Sequence, residues 1–145
     1  MGDSKTILKT VWHGNTKGNG SIQVNDIKTN IAIPTDLGGN GEGAEPKGLL
    51  VSSAAACYTM NLVAMLETKK LPVAGFTMNS ESINSKEKGF KIIHYPCITL
   101  STDATEDQIQ SANRTILSAD KACFIGNMLK KADVQIDIEG KVSKG

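Results

Sequence analysis

Two cysteines 66 residues apart, Cys57 and Cys123, are the side chains of this chain best suited to chemistry. A thiol attacks only as its thiolate, which forms where positive charge or unpaired N–H groups surround it. Cys57 stands in Leu49-Leu50-Val51-Ser52-Ser53-Ala54-Ala55-Ala56-Cys57, and Cys123 in Lys121-Ala122-Cys123-Phe124-Ile125-Gly126-Asn127. Neither belongs to a Cys-x-x-Cys pair, so the question is whether the fold brings them together. If it does, reversible thiol–disulfide chemistry is open to the chain. If it does not, both are small core residues, since free cysteine is among the most buried residue types. Cys97, in a strand-like segment, reads as a bystander. The two histidines and three cysteines are scattered and give no converging set of metal ligands.

Spacing predicts the elements that must position the thiols. Residues 47–70 read as one long helix. Pro46 suits its first turn, Glu45 places negative charge near its positive end, and Lys69, Lys70 and Pro72 mark its close. The segment is apolar on nearly all sides from Leu49 to Leu66, which predicts a buried central helix. Cys57 then lies about 15 Å from the helix start at 1.5 Å per residue, beyond the reach of the dipole. Its cation must come from elsewhere in the fold or from a partner subunit, with Lys17, Lys47, His13, His94 and Arg114 as the candidates. Cys123 is expected within the first turn of a short helix capped by Asp120, where the positive end favours a thiolate.

Around these helices the pattern is β-rich. Residues 5–33 read as an antiparallel meander with turn signals at Gly18-Asn19-Gly20 and Asn25-Asp26. Residues 34–46 form a Gly-rich connector that could cradle an anion, but they lack the Gly-Lys-Ser/Thr of a P-loop, and a flexible link is the expectation. Strands are predicted over 73–84 and 90–101. The second sets Phe90, Ile92, His94, Ile98 and Leu100 on one face, with Lys91, Ile93, Tyr95, Cys97, Thr99 and Ser101 on the other. His94, on the apolar face, reads first as hydrogen-bonded structure. Asp103 and Glu106 suggest a capping box for a helix whose inner face carries Ile109, Ala112, Ile116 and Leu117. Val134, Ile136, Ile138 and Val142 alternate as a last strand. The fold class is α+β, with helices packed on an antiparallel sheet, and residues 1–145 fit one domain.

Composition excludes several function classes. Aromatic residues make up 4%, so the core must be aliphatic with Ala and Met. A net charge of +1, from 16 basic and 15 acidic residues, gives no electrostatic case for nucleic acid. No apolar run approaches the ~20 residues of a membrane span. The opening Met1-Gly2-Asp3-Ser4-Lys5-Thr6 lacks the apolar stretch of a signal peptide. Gly2 and Thr6 fit the myristoylation pattern, which is short and unspecific. The expected place is the cytoplasm, where cysteines are more often free or catalytic than structural.

The two cysteine segments carry a resemblance. Pro46-Lys47-Gly48-Leu49-Leu50-Val51-Ser52-Ser53-Ala54-Ala55-Ala56-Cys57-Tyr58 resembles the stretch around the first cysteine of the OsmC/Ohr family, roughly Asn-Pro-Glu-x-Leu, small residues, then Ala-Ala-Cys. Ala122-Cys123-Phe124-Ile125-Gly126-Asn127-Met128-Leu129 is similar to the family's Cys-Pro-x-Ser-Asn-x-Leu. Each motif alone is loose; the pair, at this spacing and element order over essentially the whole chain, is specific.

The resemblance implies an intertwined homodimer with two long central helices inside, to whose shared sheet the N-terminal strands (residues 5–33) of both chains contribute. It implies a thiol peroxidase that reduces small organic hydroperoxides without a cofactor. Cys57 would become a sulfenic acid, Cys123 would resolve it to a disulfide, and an external dithiol such as a dihydrolipoyl group would reduce that. The chain departs from the family at an arginine of the N-terminal strands and at a glutamate ten residues before the first cysteine. Lys47 holds the glutamate position, and Arg114 is the only arginine. Lys17 or Lys47 is then expected to supply the positive charge, although lysine lacks the guanidinium fork. Phe124 also replaces the proline after the second cysteine. These departures keep open an alternative, a non-enzymatic OsmC-like dimer that binds a small apolar ligand or senses redox state.

Overall fold

The computed structural model describes residues 3–145. Gly2 of the myristoylation pattern lies outside the described residues. The chain partitions into two compact units, one reaching Leu50 and one over Val51–Gly145.

The first unit is a three-stranded antiparallel sheet, β1 (Leu8–His13), β2 (Asn19–Val24) and β3 (Ile27–Ile31), in sequence order. Asn25 turns the second hairpin with a left-handed backbone, φ 50°, a conformation asparagine tolerates. The glycine-rich connector that follows is tied down rather than loose. Gly38, Gly39 and Gly41 donate to the carbonyls of Thr35, Pro34 and Ile33 at 3.1, 3.0 and 3.0 Å. The Asn40 amide donates to the carbonyls of Lys17 and Gly18 at 2.9 and 3.2 Å. Those glycine N–H groups are spent on carbonyls instead of being offered to an anion.

Helix α1 (Pro46–Thr68) starts at the residue suited to a first turn and ends before Lys69 and Pro72. Lys70 closes it with φ 57°, while the Leu71 N–H reaches back to the Leu66 carbonyl at 3.2 Å. Its 23 residues are long and apolar enough, by length and composition, to cross a membrane. That corrects the expectation that no run approaches such a length; Ser52, Ser53, Thr59 and Asn61 break up a segment that is apolar on average. Within the second unit α1 turns a stripe of Ala54, Tyr58, Leu62 and Leu66 into the core. These lie four apart, the spacing of one helix face. The expected burial on all sides is not met within one chain, since Met60 is 71% exposed and Val63 50%.

The sheet of the second unit is built on β4 (Val73–Ser85) and β5 (Gly89–Leu100), a long antiparallel hairpin. Ile92, His94, Ile98 and Leu100 are buried as the alternation predicts, and Ile93, from the other face, is buried too. The last strand is two strands, β6 (Gln135–Ile138) and β7 (Lys141–Lys144), and both pair parallel to β5. The expectation of a purely antiparallel sheet is corrected on this side. The break falls at Gly140, where an added Cβ would meet Ile116 Cδ1 at 2.8 Å.

Helices α2 (Glu106–Lys121) and α3 (Phe124–Lys131) complete the second unit. The N-cap of α2 is Thr105 rather than Asp103: its hydroxyl accepts from the Gln108 N–H, and the Gln108 side chain accepts from the Thr105 N–H. Asp103 is engaged elsewhere, accepting from the Ser101 hydroxyl at 2.7 Å. Tyr58, Leu62 and Leu66 meet Ile98 and Leu100 of β5 and Ala112, Ile116 and Ala119 of α2 in one core, which includes Cys123.

Candidate thiol site

Two hydrogen bonds tie α1 to α2 and so set where the thiols stand. The Tyr58 hydroxyl donates to the Ile116 carbonyl at 2.8 Å. The Lys69 ammonium donates at 2.7 Å to the hydroxyl of buried Thr115, which itself donates to the Ser111 carbonyl at 2.7 Å. Cys57, immediately before Tyr58, is half-buried and packs against the core cluster that contains Cys123.

Cys123 sits at the corner between α2 and α3. Its N–H donates to the Asp120 carbonyl at 3.2 Å. Its sulfur caps α3, accepting from the Gly126 N–H at 3.3 Å. Asp120 is therefore not the cap of this helix; it lies in the last turn of α2, paired with Lys130 at 2.8 Å. The Cys57 side chain lies close enough to the Cys123 thiol to add to the rise of its pKa, and both belong to the same packed cluster. The fold thus closes the 66-residue gap and brings the two sulfurs together.

The electrostatics of Cys123 reverse the sequence expectation of an activated thiol. Burial pushes it up to about 11, with Cys57 and Asp120 adding to the rise, and the Gly126 N–H opposes this without overcoming it. Cys123 is 2% exposed, so the desolvation of its charged form outweighs the helix end. At neutral pH this cysteine is a protonated thiol.

Tyr58, next to Cys57 in the chain, belongs to a set of buried polar contacts. The Tyr58 ring stacks on His94 with centroids 5.4 Å apart, and His94 Nδ1 lies 2.7 Å from the Ser80 hydroxyl. Burial lowers the His94 pKa, opposed by Asp120, which keeps the ring neutral. Burial raises the Tyr58 pKa, with Asp120 and Cys123 adding to it.

The remaining candidates are dispersed. Lys17 is exposed in the turn between β1 and β2, and His13 is exposed at the end of β1. Lys47 is exposed at the second position of α1, ten residues before Cys57. Arg114 is exposed on α2. Cys97 is exposed on β5, where its backbone pairs with Thr77 and Lys141, apart from the other two thiols. The polar side chain that reaches Cys57 is one the sequence reading passed over. Asn61 Nδ2 lies 2.9 Å from the Cys57 carbonyl and 3.8 Å from its sulfur. The signal was present in the spacing, since residues four apart on a helix are neighbours.

Two cavities bear on ligands. One of about 330 Å³ in the second unit is lined by Asn61, Ala64, Met65, Thr68, Lys69 and Ala122. Another, of about 400 Å³ in the first unit, is apolar and has Trp12, Ile22, Ile31, Ile33, Leu37 and Leu49 among its walls.

The chain and its fold have counterparts among known proteins. A family model described as OsmC-like protein matches residues 39–139. A Bacillus subtilis (strain 168) relative named Uncharacterized protein YmaD is 34% identical, over 100% of this chain and 99% of its own length. Among solved structures, an OsmC like protein from Mycoplasma pneumoniae superposes with a TM-score of 0.74 at 19% identity, covering 97% of this chain and 99% of that one. An organic hydroperoxide resistance protein OsmC from Legionella pneumophila does so with a TM-score of 0.65 at 23% identity, covering 99% of each chain. At these identities the structural likenesses establish the fold.

Proposed function

The chain belongs to the OsmC-like protein family, and on that premise we propose that it is a cytoplasmic thiol peroxidase that reduces small organic hydroperoxides as a homodimer. The observation that carries this reading is the meeting of Cys57 and Cys123, far apart in sequence and packed in one cluster in the fold. The name of the Legionella relative, an organic hydroperoxide resistance protein, supports the substrate class.

The chemistry runs in three balanced steps. The Cys57 thiolate attacks the terminal oxygen of the hydroperoxide; an S–O bond forms, the O–O bond breaks, and the alkoxide takes a proton and leaves as the alcohol. Sulfur is oxidised to sulfenic acid and the peroxide is reduced. Cys123 then attacks the sulfenic sulfur; the S–S bond forms, and the hydroxyl departs with the Cys123 proton as water. An external dithiol, such as a dihydrolipoyl group, returns both cysteines to thiols by exchange. Burial keeps the Cys123 thiol protonated and so unreactive toward peroxide, which leaves it the resolving role beside Cys57, where it gives up its proton as it attacks the sulfenic sulfur. Lys17 or Lys47, of this chain or of the dimer partner, is the proposed source of positive charge for Cys57. The homodimer is supported by Met60 and Val63, apolar residues left exposed on α1 of a single chain.

The test is to treat the reduced protein with cumene hydroperoxide or hydrogen peroxide at equal low concentration, read by intact mass and peptide mapping. The expected result is a rapid loss of two hydrogens mapped to Cys57–Cys123, faster with the organic peroxide. No change, or oxidation at Cys97 alone, overturns the peroxidase.

A second reading, a dimer that binds a small apolar ligand without turnover, is favoured by the apolar cavity of the first unit. Trp12 lines that cavity and is the only tryptophan. Titration with 2-phenyl-2-propanol should shift its fluorescence if this reading holds, in a protein that fails the peroxide test.

A further inference from the structure

We propose that Asn61 is a catalytic residue of this site, its side-chain amide donating to the Cys57 thiolate. This rests on the peroxidase reading of the same site and adds the group that touches the reacting sulfur. Asn61 follows Cys57 by one helical turn, so its side chain lies over the same face of α1. Nδ2 carries two hydrogens. One points to the Cys57 carbonyl at 2.9 Å, which fixes the rotamer, and leaves the other for the sulfur at 3.8 Å. A thiolate is a better acceptor than a thiol, so the contact favours the charged form.

The placement of the amide in the fold points the same way. Asn61 also lines the cavity of about 330 Å³, together with Ala122, the residue before Cys123. The amide that reaches the Cys57 sulfur is thus also on a cavity wall.

A neutral donor acts in two opposed ways. It raises the fraction of thiolate at neutral pH, and it lowers the reactivity of each thiolate formed. A tenfold gain in thiolate costs about threefold in nucleophilicity, a net gain of about threefold. At alkaline pH, where ionisation no longer limits the rate, only the loss remains. Removing the donor must therefore slow the thiol at neutral pH and speed it at high pH. A residue with a merely structural role produces no such crossover.

The test is the pH profile of iodoacetamide alkylation in a Cys97→Ser/Cys123→Ser background, where Cys57 is the only thiol. Asn61→Leu is expected to alkylate about threefold more slowly at pH 7 and about threefold faster near pH 9.5. Asn61→Asp, which replaces donors by a carboxylate of the same shape, is expected to slow the reaction at pH 7 by about tenfold through like-charge repulsion. It also serves if the leucine variant does not fold, as judged by thermal melting. Folded variants that keep the parental profile overturn the proposal. Alkylation uses no peroxide, so the peroxidase reading fails separately. A parent chain inert to cumene hydroperoxide, with the crossover intact in Asn61→Leu, removes the function and leaves the donor.

Discussion

A cysteine at a helix start is ordinarily read as activated, and Cys123 shows what reverses that. The Gly126 N–H and the positive end of α3 favour its thiolate, yet enclosure in the core disfavours it more. The consequence for stability has a definite sign. The folded thiol ionises at about 11 against an ordinary 9.0, so the unfolded chain releases its proton first as pH rises. The stabilisation is complete below about pH 9 and is lost on the way to about pH 11. Melting temperature should fall more steeply over that window in the parent than in Cys123→Ser, which keeps an oxygen cap and does not titrate. Parallel curves would contradict the burial argument. The slope of the variant will not vanish, because Tyr58 is raised as well and adds its own loss above its ordinary value of 10.0. Legibility in sequence divided along the same line. The cysteine pair could be found from residue type and flanking small residues, whereas Asn61 looked like an ordinary polar interruption of an apolar helix. The cap of α2 was misplaced because Asp103–Glu106 and Thr105–Gln108 match the same pattern. Ser101, by taking the Asp103 carboxylate, decides between them.

Among the elements, α1 does the most to position the site, and two substitutions probe it in opposite directions. Leu62 is fully buried between β5 and α2. Leu62→Ala should cost about 3 kcal/mol in urea unfolding, the usual loss for a large aliphatic core residue. Lys70 holds the left-handed position that ends α1, φ 57°. Lys70→Gly should stabilise by about 1 kcal/mol, because glycine adopts that conformation without a Cβ penalty. A destabilised Lys70→Gly would mean that the lysine side chain contributes more than its backbone strain costs. The limits of α1 were legible because proline flanks it at 46 and at 72. The hairpin of β4 and β5 was legible from its alternation. The parallel run of β6 and β7 was not, since a period of two reveals which face a residue takes but not which way its strand points. Gly140, which splits that run, is demanded by Ile116, a contact across 24 residues that no local pattern contains.

At the scale of the molecule, the proposed dimer makes a direct claim about mass. One chain weighs 15.4 kDa, and sedimentation at micromolar concentration should give twice that. Met60→Asp, placing charge on an apolar residue that is 71% exposed in the single chain, should return the protein to monomer mass. A parent that sediments as a monomer would remove the homodimer from the proposal. The apolar segment from Leu49 to Leu66 predicted a helix buried on all sides, and a single chain satisfies only the face of Ala54, Tyr58, Leu62 and Leu66. A last consequence follows from the place of β5, which is hydrogen-bonded along one edge to β4 and along the other to β6 and then β7. None of its central amides can meet solvent unless a neighbouring strand lifts away. In deuterated water, the amides of residues 92–94 and 97–100 should therefore be among the last to exchange, at a rate set by global opening. Those of β1, on an outer edge of the first sheet, should exchange orders of magnitude sooner.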